Sequence, residues 1–159
     1  MKRALTFLVA VLVVALTIAA GASATSPHFL KATASVDNSG SLVCSFKEAG
    51  LGDVAVASIT CSADASVVYA CINGGGNHPK AANKETVNGP VSGGGEFPVR
   101  NGATSGDITV APPGAGDFTC PGGQRLVLAS VCYANVTLSG QGVTTTATPN
   151  PACRTFFAV

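Results

Sequence analysis

"AVASITCSADASVVYAC", residues 55–71, alternates between two kinds of side chain. Ala55, Ala57, Ile59, Cys61, Ala63, Ala65, Val67, Tyr69 and Cys71 share one parity, while Ser58, Thr60, Ser62, Asp64 and Ser66 hold the other. A period of two belongs to a β-strand with one buried face, so Cys61, Tyr69 and Cys71 are expected to point inward. "SLVCSFK", residues 41–47, repeats the pattern, with Leu42, Cys44 and Phe46 against Val43, Ser45 and Lys47. In "RLVLASVCYANVTLSG", residues 125–140, Leu126, Leu128, Ser130, Cys132, Ala134, Val136 and Leu138 alternate with Val127, Ala129, Val131, Tyr133, Asn135 and Thr137. Both of its faces begin apolar, as in a strand covered on two sides.

Turn chemistry separates these runs. Asn-Gly at 73, 88 and 101 and "DNSG" at 37 supply residues that tolerate positive φ. Gly52-Asp53-Val54, Gly106-Asp107-Ile108 and Gly116-Asp117-Phe118 read as turn exits into strands. No amphipathic helical stretch exceeds "KAANKE". The expected fold is an all-β, antiparallel β-sandwich of immunoglobulin-like architecture, stabilised by disulfides. Tyr69-Ala70-Cys71 matches the Tyr-x-Cys of an immunoglobulin tyrosine corner. The chain departs from a true immunoglobulin domain in having no tryptophan, and no cysteine lies about 60 to 70 residues before Cys71.

Lys2 and Arg3 precede an apolar run from Ala4 to Ala20, followed by Ala22, Ser23 and Ala24. This is the pattern of a signal peptide over residues 1–24, cleaved after Ala24, leaving one secreted domain over 25–159. Seven basic residues then face eight acidic ones, and no basic patch draws nucleic acid or anionic lipid. No later apolar run approaches the roughly 20 residues of a membrane span, and TFFAV carries no anchoring flank, so no membrane association is expected after cleavage.

All six cysteines, 44, 61, 71, 120, 132 and 153, lie in the exported part, which predicts three disulfides. Cys61 and Cys71 are separated by strand-like sequence and cannot easily meet. Cys71 closes a strand and Cys120 sits in the turn-rich "PPGAGDFTCPGG", which favours joining them, and Cys153 is expected to staple the C-terminal segment. No CxxC, HExxH or paired Cys/His spacing suggests a metal, and no cofactor is expected.

The inventory for catalysis is small. His28 and His78 are the only histidines, no GxSxG frames a serine, and the acids fall in turn exits (Asp53, Asp107, Asp117) or loops (Glu48, Glu85, Glu96) with nothing pairing them. "NGGGN" lacks the rest of a phosphate loop. The sequence therefore reads as non-enzymatic. Residues 73–85 form the longest connection, and long loops carry function more often than short ones. There Asn77 is placed to cap a helical turn starting at Pro79, gathering His78, Lys80, Asn83 and Lys84 into a binding cluster for a carboxylate, a glycan or a partner's backbone. The competing reading is structural: glycine reverses the chain, asparagine satisfies amides and lysine keeps the loop soluble. Asn135-Val136-Thr137 is a glycosylation sequon inside an expected strand, relevant only in a eukaryotic host.

In this loop, in "FTCPGGQRLVLASVCYANVTL" and in "FKEAGLG", the chain resembles a group of small secreted bacterial proteins, mainly actinobacterial, that are uncharacterised. That resemblance implies export and a compact all-β domain and brings no functional residues. Cys71, Gly76, His78-Pro79 and Cys120-Pro121 are locally similar to the Streptomyces subtilisin inhibitors. The chain differs in having Gly122 after Cys120-Pro121 and no cysteine between His78-Pro79 and Cys120. The leading reading is a secreted, non-enzymatic extracellular or cell-surface protein acting as a binding module for an extracellular partner or glycan. A serine protease inhibitor and a small extracellular hydrolase are the alternatives.

Overall fold

The computed structural model describes residues 25–73 and 83–159; the expected leader lies outside them. Eight strands run through these residues: β1 (His28–Val36), β2 (Leu42–Ala49), β3 (Val56–Asn73), β4 (Lys84–Pro98), β5 (Ala103–Val110), β6 (Gln124–Gly140), β7 (Val143–Thr146) and β8 (Ala152–Thr155). They form two antiparallel sheets, β1-β2-β5 and β4-β3-β6-β7, with β8 also paired to β6. Among the described residues no helix is long and apolar enough to cross a membrane.

The predicted alternation decides which side chains meet between the sheets. Leu42, Cys44 and Phe46 from β2 and Ile108 and Val110 from β5 face Ile59, Cys61 and Val67 from β3 and Val131, Tyr133, Val136 and Leu138 from β6. At the centre Cys44 bonds Cys61, tying one sheet to the other through residues with no exposed surface. Cys71 bonds Cys120, the favoured pairing, and Cys132 bonds Cys153 across β6 and β8, stapling the C-terminal segment. Closing loops of 17, 49 and 21 residues, these bonds each restrict the unfolded chain by about 3–4 kcal/mol in the chain-entropy picture.

The two sheets approach one another at both flanks. On one, Thr148 joins β1, accepting from Ala34 N–H at 2.9 Å and donating to Ala32 O at 3.1 Å. On the other, the edge strands β4 and β5 converge: Phe97 packs edge-on against Phe46, with ring centroids 4.8 Å apart. Gly106 of β5 makes room for it, since a Cβ there would come within 2.5 Å of the Phe97 ring.

β4 protects its own free edge. Cys71 N–H donates to Asn83 O, so odd-numbered residues of β3 turn their backbone groups toward β4, and even-numbered ones toward β6. The β3–β4 register is unbroken from Ala70↔Lys84 to Val56↔Pro98, so the even residues of β4 face away from β3. Pro90 and Pro98 are both even, and their missing N–H groups fall on the open side, where a further strand would need donors.

Several sequence readings are corrected by pairing. β6 does not keep one parity. Ser62 pairs with Thr137 but Asp64 with Ala134, which leaves one extra residue on β6. Asn135 takes it up at φ 53°, a conformation asparagine tolerates, and its Nδ2 donates to Asp64 Oδ2 at 2.8 Å. The inter-sheet series Val131 and Tyr133 therefore switches to Val136 and Leu138, and a second shift, with Ala129 the extra residue between Ser130 and Leu128, puts Val127 and Ala129 on the outer face. Asn88-Gly89 lies within β4 and Gly106-Asp107 within β5, where paired neighbours override their turn chemistry; Asn101-Gly102 does form the expected turn, with φ 51° and 69°. Gly116-Asp117 turns inside an irregular segment and leads into no strand. His28 opens β1.

Candidate functional site

Of the five residues expected to bind, Asn77, His78 and Lys80 lie outside the described residues. Asn83 is exposed, and Lys84 starts β4 opposite Ala70 rather than belonging to a helical turn. Strand geometry sends Lys84 and Glu85 to opposite faces. Glu85 and Val87 border a polar cleft of about 650 Å³ whose far wall is the segment 114–119. That segment is held by the Cys71–Cys120 bond and by Tyr69 OH, which donates to Pro113 O at 2.7 Å. Burial raises the Tyr69 phenol above its usual range, which keeps it a donor.

A second groove lies on the far side of β6. β7 covers residues 137–140 of that strand and β8 covers 130–133. Beyond them the chain leaves: Phe156 N–H and Phe157 N–H both donate to Ala129 O, at 2.8 and 3.1 Å. Residues 124–128 of β6 thus have β3 on one side and, among the described residues, no strand on the other. Ala70 faces β6 and pairs with Val127, so the backbone N–H and C=O of the next residue, Leu126, point to the open side.

Along this opening runs a groove of about 400 Å³, walled by Val127, Leu128, Phe156 and Phe157, with Asn38 and Ser39 of the β1–β2 turn at its rim. Arg125 stands at its end, exposed, and among the described residues no carboxylate pairs with it. The rim is ordered by its own bonds. Asp37 Oδ1 accepts from Ser39 N–H, Ser39 OH and Ser41 N–H at 2.8, 2.7 and 2.9 Å, the Ser39 hydroxyl first among the causes that lower the Asp37 pKa. Arg154 donates to Val36 O and Asn38 Oδ1 and lies over the Phe156 ring at 5.1 Å, fixing that wall. Beneath the turn, Tyr133 OH donates to Gly40 O at 2.7 Å, and burial pushes its pKa up to about 12. Such a lining buries apolar surface and offers one cation; the Ser39 hydroxyl is already committed to Asp37.

The acids are not all in loops. Glu85 and Glu96 lie in β4, Asp107 in β5, and Glu48 in β2 with no exposed surface. Both Glu48 carboxyl oxygens lack a hydrogen-bond partner among the described residues and lie against Gly140, where a Cβ would come within 2.9 Å of Oε2. Burial raises the Glu48 pKa, with His28 acting weakly the other way. Among the described residues no group of three His, Cys, Asp or Glu gathers as a metal site.

Comparisons with protein-family models, with curated proteins and with solved structures give no match to this chain. The Arg125 groove went unread in the sequence because its walls come from distant segments. Arg125 at the start of an otherwise apolar strand, with Phe156-Phe157 at the other end of the chain, is the signal available there.

Proposed function

We propose that this chain is a secreted, non-enzymatic binding module of the extracellular space or cell surface, with immunoglobulin-like architecture. The strand order supports the architecture: β1-β2-β5 against β4-β3-β6-β7 is the order of an immunoglobulin sandwich whose fourth strand has moved to the opposite sheet. The inter-sheet bond joins β2 to β3 instead of β2 to β6, and Tyr69 reaches forward to Pro113 instead of back, so the kinship is of topology and not of those hallmarks. Three disulfides support an oxidising destination.

The observation that carries the binding role is an apolar groove with an arginine that is unpaired among the described residues, set in a frame cross-linked by disulfides. Retention on extracellular and cell-envelope extracts is the test. Wild-type protein is expected to be retained, and Arg125→Glu released. A His78→Ala, Lys80→Ala, Lys84→Ala variant measures the loop's share. If wild type is not retained on any extract, the binding role is lost.

A second reading has one feature in its favour: the Cys71–Cys120 bond anchors the exposed Pro121-Gly122, as a protease-inhibiting loop is anchored. Subtilisin and trypsin retaining full activity in excess protein would remove it.

A further inference from the structure

We propose that the open edge of β6 accepts the C-terminal end of an extended, apolar peptide, whose terminal carboxylate is bound by Arg125. The inference rests on the binding-module reading and names its partner class.

Three observations converge on that occupant. Among the described residues, positions 124–128 of β6 present an unpaired strand edge, with the N–H and C=O of Leu126 directed outward, which is what strand addition requires. Beside that edge the apolar walls of Val127, Leu128, Phe156 and Phe157 receive alternate side chains of an added strand. The third is polarity. β8 runs antiparallel to β6, from Ala152 opposite Tyr133 to Thr155 opposite Ser130, so its direction points toward residue 124. A peptide extending the line of β8 in the same sense meets Leu128 first and finishes beside Arg125. The end that arrives at the unpaired guanidinium is therefore the C-terminus, and guanidinium binds carboxylate through paired, charge-assisted bonds. The opposite flank of that sheet is less receptive at its far half, because Pro90 and Pro98 each remove an outward donor from the β4 edge.

The test uses the full secreted chain and a library of octapeptides with free carboxyl ends. The expected result is enrichment of sequences with apolar residues near the C-terminus. A selected peptide should bind at least about tenfold more weakly once amidated, and Arg125→Met should lose the same factor toward the free acid while leaving affinity for the amide unchanged. Leu126→Pro removes the outward N–H without removing a bond to β3, and should weaken the same peptide about fivefold. Leu126 is 42% exposed, so the substitution empties no core. Should that variant fail to fold, the amidation and Arg125→Met arms stand alone. No enrichment, equal binding of acid and amide, or full affinity in Arg125→Met overturns the proposal; so does equal binding of dodecanoate, which cannot add a strand. Wild-type retention on extracellular extracts that Arg125→Met leaves intact would keep the binding module and remove this partner.

Discussion

Strand β3 is buried twice, in two different ways. Around Ile59 it is covered by the facing sheet and the Cys44–Cys61 bond, within an apolar cluster drawn from both layers. Around Ile72 its outward side is covered by the chain's last residues, where Ala70, Ile72, Val127 and Ala129 meet Val68, Phe157 and Val159. Both isoleucines are 1% exposed. Equal burial does not mean equal support, because the first cluster is enclosed by many strands and the second by one sheet and a short tail. The open groove lies beside the second, which suggests that the molecule separates the part that holds it together from the part that meets other molecules.

The largest effect that would test this contrast is removal of the inter-sheet bond. Cys44→Ala with Cys61→Ala is expected to cost about 5 kcal/mol in denaturant unfolding, since lost sulfur packing adds to the entropic term. Cys71→Ala with Cys120→Ala should cost less, although its loop is longer by about 1 kcal/mol of closure entropy. The reverse order would mean that loop length outweighs packing here.

Ile59→Ala and Ile72→Ala make the same change in the two clusters. The first should lose about 4 kcal/mol, and the second about 2 kcal/mol with faster amide exchange confined to the ends of β3 and β6. Equal losses would erase the distinction. Tyr133→Phe, which leaves Gly40 O without its buried donor, should cost about 1.5 kcal/mol by thermal unfolding.

The smallest effect is a pH slope from Glu48. Folding raises its pKa above the ordinary 4.5, so the native chain holds the proton more tightly than the unfolded chain. Stability should be greatest below that ordinary value and fall as pH rises through the raised one. In Glu48→Gln the fall in melting temperature as pH rises above the ordinary 4.5 should disappear. A variant as pH-dependent as wild type would place the slope elsewhere.

Period-two alternation in residues 55–71 and 41–47 was enough to read two antiparallel layers, because one buried face leaves a direct mark on composition. The Cys71–Cys120 bond was legible for a similar reason, each partner lying next to its own turn signal. The extra residue at Asn135 was not, since a bulge is decided by the partner strand and leaves little trace in the bulged one. Glu48 shows another limit. Extending the parity of Leu42, Cys44 and Phe46 by two positions places it inside, yet residue type argued for a loop. The groove required Arg125 to be seen together with Asn38 and Phe156, which only folding brings together.

Proline at positions 90 and 98 has a consequence for how copies of this molecule coexist. A sheet open at both margins can be extended by a neighbour, whose own free margin recruits the next, and growth continues without limit. With two donors missing from the β4 margin of this sheet, a guest strand accommodated at the other margin finds a poor template for the next. Crowded preparations should therefore stay dispersed, and any complex formed through that site should contain host and guest in a one-to-one ratio.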